Sequence, residues 1–218
     1  MSEPVPPRRT LRTVLLVLAG VLLLSLGTWM TVPPVPPPQD GEAPQPRANS
    51  LPLVRDIGGE FRLPATTGRE LALSDLRGKV VLLNFGFTHC PDVCPTVLMR
   101  MGGALQELAL QGADMSRVQP LFVTFDPERD TLDHLREYVA FFHRSFIGLR
   151  GDDEQVRDVA RQYKVIYLRQ DTQSAAGYVF QHSDFVYVID AWGRVRLLVG
   201  SKDPEAALVE AVKKLLAE

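Results

Sequence analysis

The chain has 218 residues, a formal net charge of −2, 45% hydrophobic and 23% charged residues, a globular composition sized for one domain plus an extension, not for a disordered or fully membrane-embedded chain. So balanced a charge lacks the basic footprint of a nucleic-acid binder. Two cysteines, Cys90 and Cys94, cannot build a disulfide scaffold or a four-thiolate zinc site.

Residues 13–32 (TVLLVLAGVLLLSLGTWMTV) form 20 uncharged positions, which at about 1.5 Å per helical residue span about 30 Å, the thickness of a bilayer core. The run is longer than a signal-peptide core, no small-x-small cleavage site follows it, and no cysteine lies near for lipoprotein processing. An uncleaved transmembrane helix is expected. Arg8, Arg9 and Arg12 precede it and the first basic residue after it is Arg47, so residues 1–12 are expected in the cytoplasm and the rest outside. The short leader leaves no room for a mitochondrial presequence, which points to a bacterial inner membrane and a periplasmic domain. Ten of the 17 prolines fall within the first 46 residues; residues 33–50 read as an extended, semi-rigid spacer.

Residues 51–218 alternate strand and helix patterns. Glu60–Leu63 and Glu70–Leu73 flank Thr67-Gly68 as a short hairpin. Lys79–Phe87 (KVVLLNFGF) is the near-continuous apolar run of a buried central strand. A helix is expected from Pro95 to Leu110, a core strand over Leu121–Phe125, a helix over Thr131–Phe142 capped by Asp130 or Thr131, and a third over Glu154–Tyr163. Phe185–Ile189 and Val195–Val199 form a hairpin through Asp-Ala-Trp-Gly, and Pro204–Leu216 closes the chain as a helix with Asp203 as its cap. This order predicts an α/β domain of thioredoxin-like type, a mixed sheet with helices on both faces.

The chemistry falls at the carboxyl end of the first core strand, in Gly86-Phe-Thr-His-Cys-Pro-Asp-Val-Cys-Pro95. Both cysteines precede proline and so are biased out of the helical region; a helix starting at Pro95 leaves Cys94 at its cap, where the dipole favours a thiolate. As a structural disulfide the pair closes a very short loop and adds about 2 kcal/mol at best. As a redox dithiol it departs from the thioredoxin design, with three intervening residues instead of two and no proline between 128 and 203 to supply the cis-proline opposite the thiols. As a metal site it needs a further ligand. His89 neighbours Cys90 on an extended segment and is expected to face away, and His134 and His143 read as surface residues. His182 precedes a strand where a thioredoxin-like fold brings its cis-proline loop to the thiols. Two thiolates and an imidazole are a soft set that suits copper, as Cu(I) or Cu(II).

The run GKVVLLNFGFTHCPDVCP, the later Asp126-Pro-Glu-Arg-Asp-Thr131, and His-Ser-Asp ahead of a strand and an Asp-x-x-Gly-Arg hairpin resemble the Sco/SenC family over residues 51–218. The resemblance implies a membrane-anchored copper chaperone that helps assemble the dinuclear copper centre of cytochrome c oxidase subunit II, with Cys90, Cys94 and His182 as the metal ligands. It also implies a copper donor and a thiol reductant outside the cytoplasm, and Asp126 is assigned a supporting or docking role. A thiol-disulfide reductase, with Cys90 and Cys94 as its catalytic pair, and a copper or redox sensor are the alternatives.

Overall fold

The computed structural model describes residues 51–173 and 177–218. The expected anchor (13–32) and spacer (33–50) lie outside the described residues, among which no helix is long and apolar enough to cross a membrane.

The hairpin expected around Thr67-Gly68 forms from β1 (Arg62–Pro64) and β2 (Glu70–Ala72). Next come β3 (Val80–Gly86), α1 (Val93–Leu110), β4 (Val118–Thr124), α2 (Leu132–Phe142), β5 (Ile147–Arg150) and α3 (Asp153–Gln162). A hairpin of β6 (Tyr167–Asp171) and β7 (Tyr178–His182) is followed by a second hairpin, β8 (Val186–Ile189) and β9 (Val195–Val199), and by α4 (Glu205–Leu216).

Five strands make one sheet in the order β5-β4-β3-β8-β9, with β3 parallel to β4 and antiparallel to β8. All seven residues of β3 are buried, which explains its lack of polar alternation: both faces are covered. Val80 and Leu82 join Leu98, Met101 and Leu105 of α1, Leu135 of α2 and Val212 of α4 in one cluster. Val81, Leu83 and Phe85 join Phe61, Leu63, and Val156 and Val159 of α3 in the other. The mixed sheet with helices on both faces is therefore as the sequence predicts.

Four local expectations are corrected. Helix α1 begins at Val93, so Cys94 and Pro95 lie in its first turn, where a proline removes no helical hydrogen bond. Strand β5 and the β6–β7 hairpin were not expected at all. The last helix begins at Glu205 with Pro204 as its cap, because the Asp203 carboxylate accepts from the Gly200 amide at 2.8 Å instead. Helix α3 starts one residue earlier than predicted, behind Asp152, whose side chain accepts from the Gln155 amide. Thr131 caps α2, accepting from the His134 amide at 3.2 Å, which leaves Asp130 for another role.

At the end of the sheet away from Gly86, the β8–β9 turn encloses a buried ion network. Gly193 has φ +81, the left-handed conformation that the turn needs and glycine adopts without steric cost. Asp190 Oδ1 accepts from the amides of Trp192 and Arg194, both at 3.0 Å. Its Oδ2 receives Arg194 Nε at 2.8 Å and Arg196 Nη1 at 3.0 Å. Arg196, 0% exposed, also donates to Glu218 and to the carbonyls of Leu51 and Pro52.

Candidate metal centre

Strand β3 ends at Gly86, and the chain turns through Phe87, Thr88 and His89 into the two cysteines. The Cys90 amide donates to the Phe87 carbonyl at 3.3 Å, closing the turn. Cys90 Sγ then accepts from the Cys94 amide at 3.4 Å, one of the first-turn N–H groups of α1 that have no helical partner. Cys94 is buried and Cys90 is half-buried, and both are free thiols. Gly86 leaves room for Cys94: a Cβ at residue 86 would stand 2.8 Å from its sulfur and 2.8 Å from the Phe122 ring.

His182, the last residue of β7, completes the group. Its Nδ1 lies 2.8 Å from the Ser183 carbonyl, which can only accept, so Nδ1 carries a proton and Nε2 faces the sulfurs. Nε2 is 3.3 Å from Cys94 Sγ, and ligand atoms of Cys90, Cys94 and His182 all lie within 4.8 Å of one another. Three aromatic side chains fence the imidazole: Phe125 and Phe87 at 5.0 and 6.0 Å between ring centroids, with Phe180 against both phenylalanines at 5.0 and 5.2 Å. The expectation that His182 meets the thiols holds, although it arrives on a strand, not on a cis-proline loop; among the described residues no peptide bond is cis.

The two sulfurs are electrostatically unlike. Hydrogen bonding from the Cys94 thiol, reinforced by His182 and by the amides of Asp92 and Cys94, outweighs burial and lowers Cys90 from its ordinary value to about 4. Cys94 is pushed far up, first by donating its S–H hydrogen bond to Cys90 and then by burial. Burial alone would lower His182, but hydrogen bonds to Cys90 and to the Ser183 carbonyl, with the charges of Cys90 and Asp184, raise it. The metal-free site therefore holds a thiolate on the exposed side and a protonated sulfur beneath. Alkylation of the reduced protein with iodoacetamide is expected to modify Cys90 selectively. Its rate should stay flat from neutral pH down to about pH 5, because the thiolate persists until pH approaches about 4; a rate falling tenfold per unit below pH 8 would mean that Cys90 is an ordinary thiol.

Asp126 does not join Cys90, Cys94 and His182. It is 2% exposed, accepts from Arg129 Nε at 2.5 Å and from the Tyr178 hydroxyl at 2.7 Å. Tyr178 opens β7 and His182 closes it, so this carboxylate ties the Asp126–Thr131 segment to the strand that carries the imidazole. Guanidinium carbons of Arg129 and Arg169 each lie 3.6 Å from the Tyr178 ring centroid, a stack that reinforces the tie.

Thr88 and Asp130 were not read as site residues. Asp130, 0% exposed, accepts from the Thr88 amide at 3.0 Å and the Thr88 hydroxyl at 2.6 Å, and so pins the turn two residues ahead of Cys90. The available signal was an acidic residue directly before a helix cap that already had its own threonine. His89 stays outside the thiol group as expected; it and His134 are exposed. His143 is the cap residue after α2 and bonds Ser145 Oγ at 2.8 Å.

A thioredoxin-like sheet with two thiols and an imidazole converging at the end of its central strand defines a class of domain built for soft-metal or thiol chemistry. The sequence profile of the SCO1/SenC family matches residues 50–217, and the chain belongs to that family. It is 38% identical over 159 residues to mitochondrial SCO2 of Saccharomyces cerevisiae, covering 72% of this chain and 52% of the yeast protein. It is 39% identical over 154 residues to a SCO2-like protein of Rickettsia conorii, covering 69% of this chain and 74% of that one. Alignment thus spans about half of the yeast relative. Among solved structures, copper-bound ScoI of Arabidopsis thaliana superposes with a TM-score of 0.68 at 34% identity, over 74% of this chain and 99% of that one. Copper-bound Sco1 of yeast gives a TM-score of 0.63 at 35% identity, over 72% of this chain and 89% of the other.

Proposed function

We propose that this chain is a membrane-anchored copper chaperone that carries one copper ion on Cys90, Cys94 and His182 and delivers it to the dinuclear copper centre of cytochrome c oxidase subunit II. The observation that carries this reading is the convergence of two sulfurs and Nε2 within 4.8 Å, a three-donor soft set suited to copper. Copper-bound relatives of the same fold support it. Residues 13–32 would hold the domain at a bacterial inner membrane, facing the periplasm, and the proline-rich spacer would raise its local concentration around a membrane-bound acceptor. A donor outside the cytoplasm would load the site and a reductant there would keep Cys90 and Cys94 as thiols, since their disulfide offers no thiolate. Because His182 reaches the site from its own hairpin, it is the ligand an incoming thiolate displaces first. Asp126 serves by holding that hairpin through Tyr178.

The test is a copper titration of the reduced full-length chain in detergent. With Cu(I) and a competing chelator, one tight equivalent is expected. With Cu(II), a thiolate-to-copper absorption band should appear, and His182→Ala should lose on the order of a hundredfold in the affinity read from that band, roughly one ligand's share of a metal site. Equal binding by both proteins removes His182 from the ligand set.

A second reading has its own observation: a half-buried Cys90 lowered to about 4 beside a buried partner is also what a thiol-disulfide reductase requires. If the chain binds no copper but reduces an oxidised subunit II fragment, Cys90 and Cys94 are that enzyme's pair. A copper-sensing role would show as copper binding without transfer.

A further inference from the structure

A second group of metal-ligating side chains stands beside the thiols on the same loop. His89 Nδ1 and His134 Nε2 each lie 3.0 Å from the Thr88 hydroxyl, and their ring centroids are 5.9 Å apart. Beneath them, Asp130 Oδ1 is 3.6 Å from His89 Nδ1. One ligand atom from each of His89, Asp130 and His134 falls within 4.8 Å of the others.

The hydrogen bonds describe a site short of positive charge. Asp130 accepts from the Thr88 amide, from the Thr88 hydroxyl and from the Thr124 hydroxyl at 2.5 Å; all three donors are neutral, and the carboxylate is 0% exposed. A buried carboxylate held by neutral dipoles favours a cation beside it. The Thr88 proton goes to Asp130, so both imidazoles meet the lone-pair side of the same hydroxyl. The Thr88–Asp130 hydrogen bonds already anchor the loop. Two exposed imidazoles brought over one buried carboxylate, from a loop and from the first turn of α2, add no core packing, and if both were protonated they would repel.

We propose that His89, His134 and Asp130 form a second, exchangeable metal site of nitrogen and oxygen donors, selective for a divalent ion and above all for Cu(II). Two imidazoles and a carboxylate with open positions suit borderline divalent ions, and Cu(II) binds such donors more tightly than the other first-row divalent ions. Cu(I), which prefers thiolate, is left to Cys90 and Cys94. One loop, from Thr88 to Cys94, then presents two sites of opposite softness: the hard one opens toward α2, the soft one lies under His182. This inference does not depend on what the thiol site does.

The test uses the full-length chain in detergent carrying Cys90→Ala and Cys94→Ala, so that no thiolate remains. Copper(II) chloride is titrated by equilibrium dialysis, and the bound ion is read by electron paramagnetic resonance. One equivalent with superhyperfine coupling to imidazole nitrogen is expected. In the same background His89→Gln and His134→Gln, both at exposed positions, should each weaken binding by on the order of 10–100-fold or more, whereas His182→Ala and His143→Gln should leave it unchanged. Absence of stoichiometric Cu(II) in the thiol-free chain overturns the proposal. So does binding that survives either His89→Gln or His134→Gln undiminished, or that follows His182 or His143. Failure of the thiol site in the separate Cu(I) titration touches none of these readings.

Discussion

Cys94→Ala is expected to remove stoichiometric copper binding while the domain still folds. The chain has two thiols in all, and without Cys94 the copper keeps one thiolate and one imidazole. Four-ligand structural metal sites gather about 10–16 kcal/mol, roughly 2.5–4 kcal/mol per ligand, and at about 1.4 kcal/mol per decade a lost ligand weakens binding by roughly 60- to 700-fold. The folding cost is smaller. Cys94 is 1% exposed between Gly86 and the core, and deleting its sulfur leaves a cavity worth about 1–2 kcal/mol. Calorimetry separates the two effects. Copper at about a thousand times its Kd stabilises a protein by about 4 kcal/mol, which for a domain of this size is a rise in Tm of roughly 8–16 °C. The wild type should show that rise and Cys94→Ala less than half of it; an equal rise in both would mean that copper sits elsewhere.

Asp190→Ala is expected to be the most damaging single change to stability among the polar positions. Arg196 is 0% exposed, and its guanidinium is shared between Asp190 Oδ2 at 3.0 Å and Glu218 at 2.8 Å. Taking one partner from a buried ion pair costs about 3–5 kcal/mol, because the remaining charge stays buried. Two turn amides lose their acceptor as well. With a urea m-value of about 1–3 kcal/mol/M, the unfolding midpoint should fall by more than about 1 M. Pairing it with Arg196→Met should recover part of the loss, as expected for coupled neighbours. Val81 pairs with Ile189, next to Asp190, whereas the thiols follow Gly86 at the other end of β3. Copper affinity of the folded variant should therefore match wild type; a parallel loss would mean that the turn reaches the metal site.

The legible parts of the fold are those whose residues answer to local rules. Residues 80–86 and 121–124 announce themselves as largely apolar runs because both faces of those strands are covered. Strand β5 has only Ile147, Gly148, Leu149 and Arg150, and its glycine is dictated from outside the strand: a Cβ there would come within 2.5 Å of Leu135 on α2. In β6, four successive residues after Tyr167 are exposed, so no alternation betrays it. Rules on residues before proline misplaced the start of α1, since the Cys94 amide has a sulfur acceptor in Cys90 and the helix begins two residues earlier, at Val93. For the site, Cys90, Cys94 and His182 were readable from residue type and order. What was hidden is how they are held: Asp130 fixing Thr88, and Tyr178 binding Asp126, depend on side chains 42 and 52 residues apart in sequence.

The β6–β7 hairpin forms a two-stranded sheet of its own, outside the five-stranded one, and β6 is mostly exposed. Cys94 belongs to an 18-residue helix packed on the central strand. The three proposed ligands consequently sit on parts of the molecule with unequal local unfolding free energies. Opening of the hairpin alone would withdraw one donor while the main sheet stays intact. Dissociation of a bound ion then becomes stepwise, its first step governed by the lifetime of a small substructure and not by global unfolding.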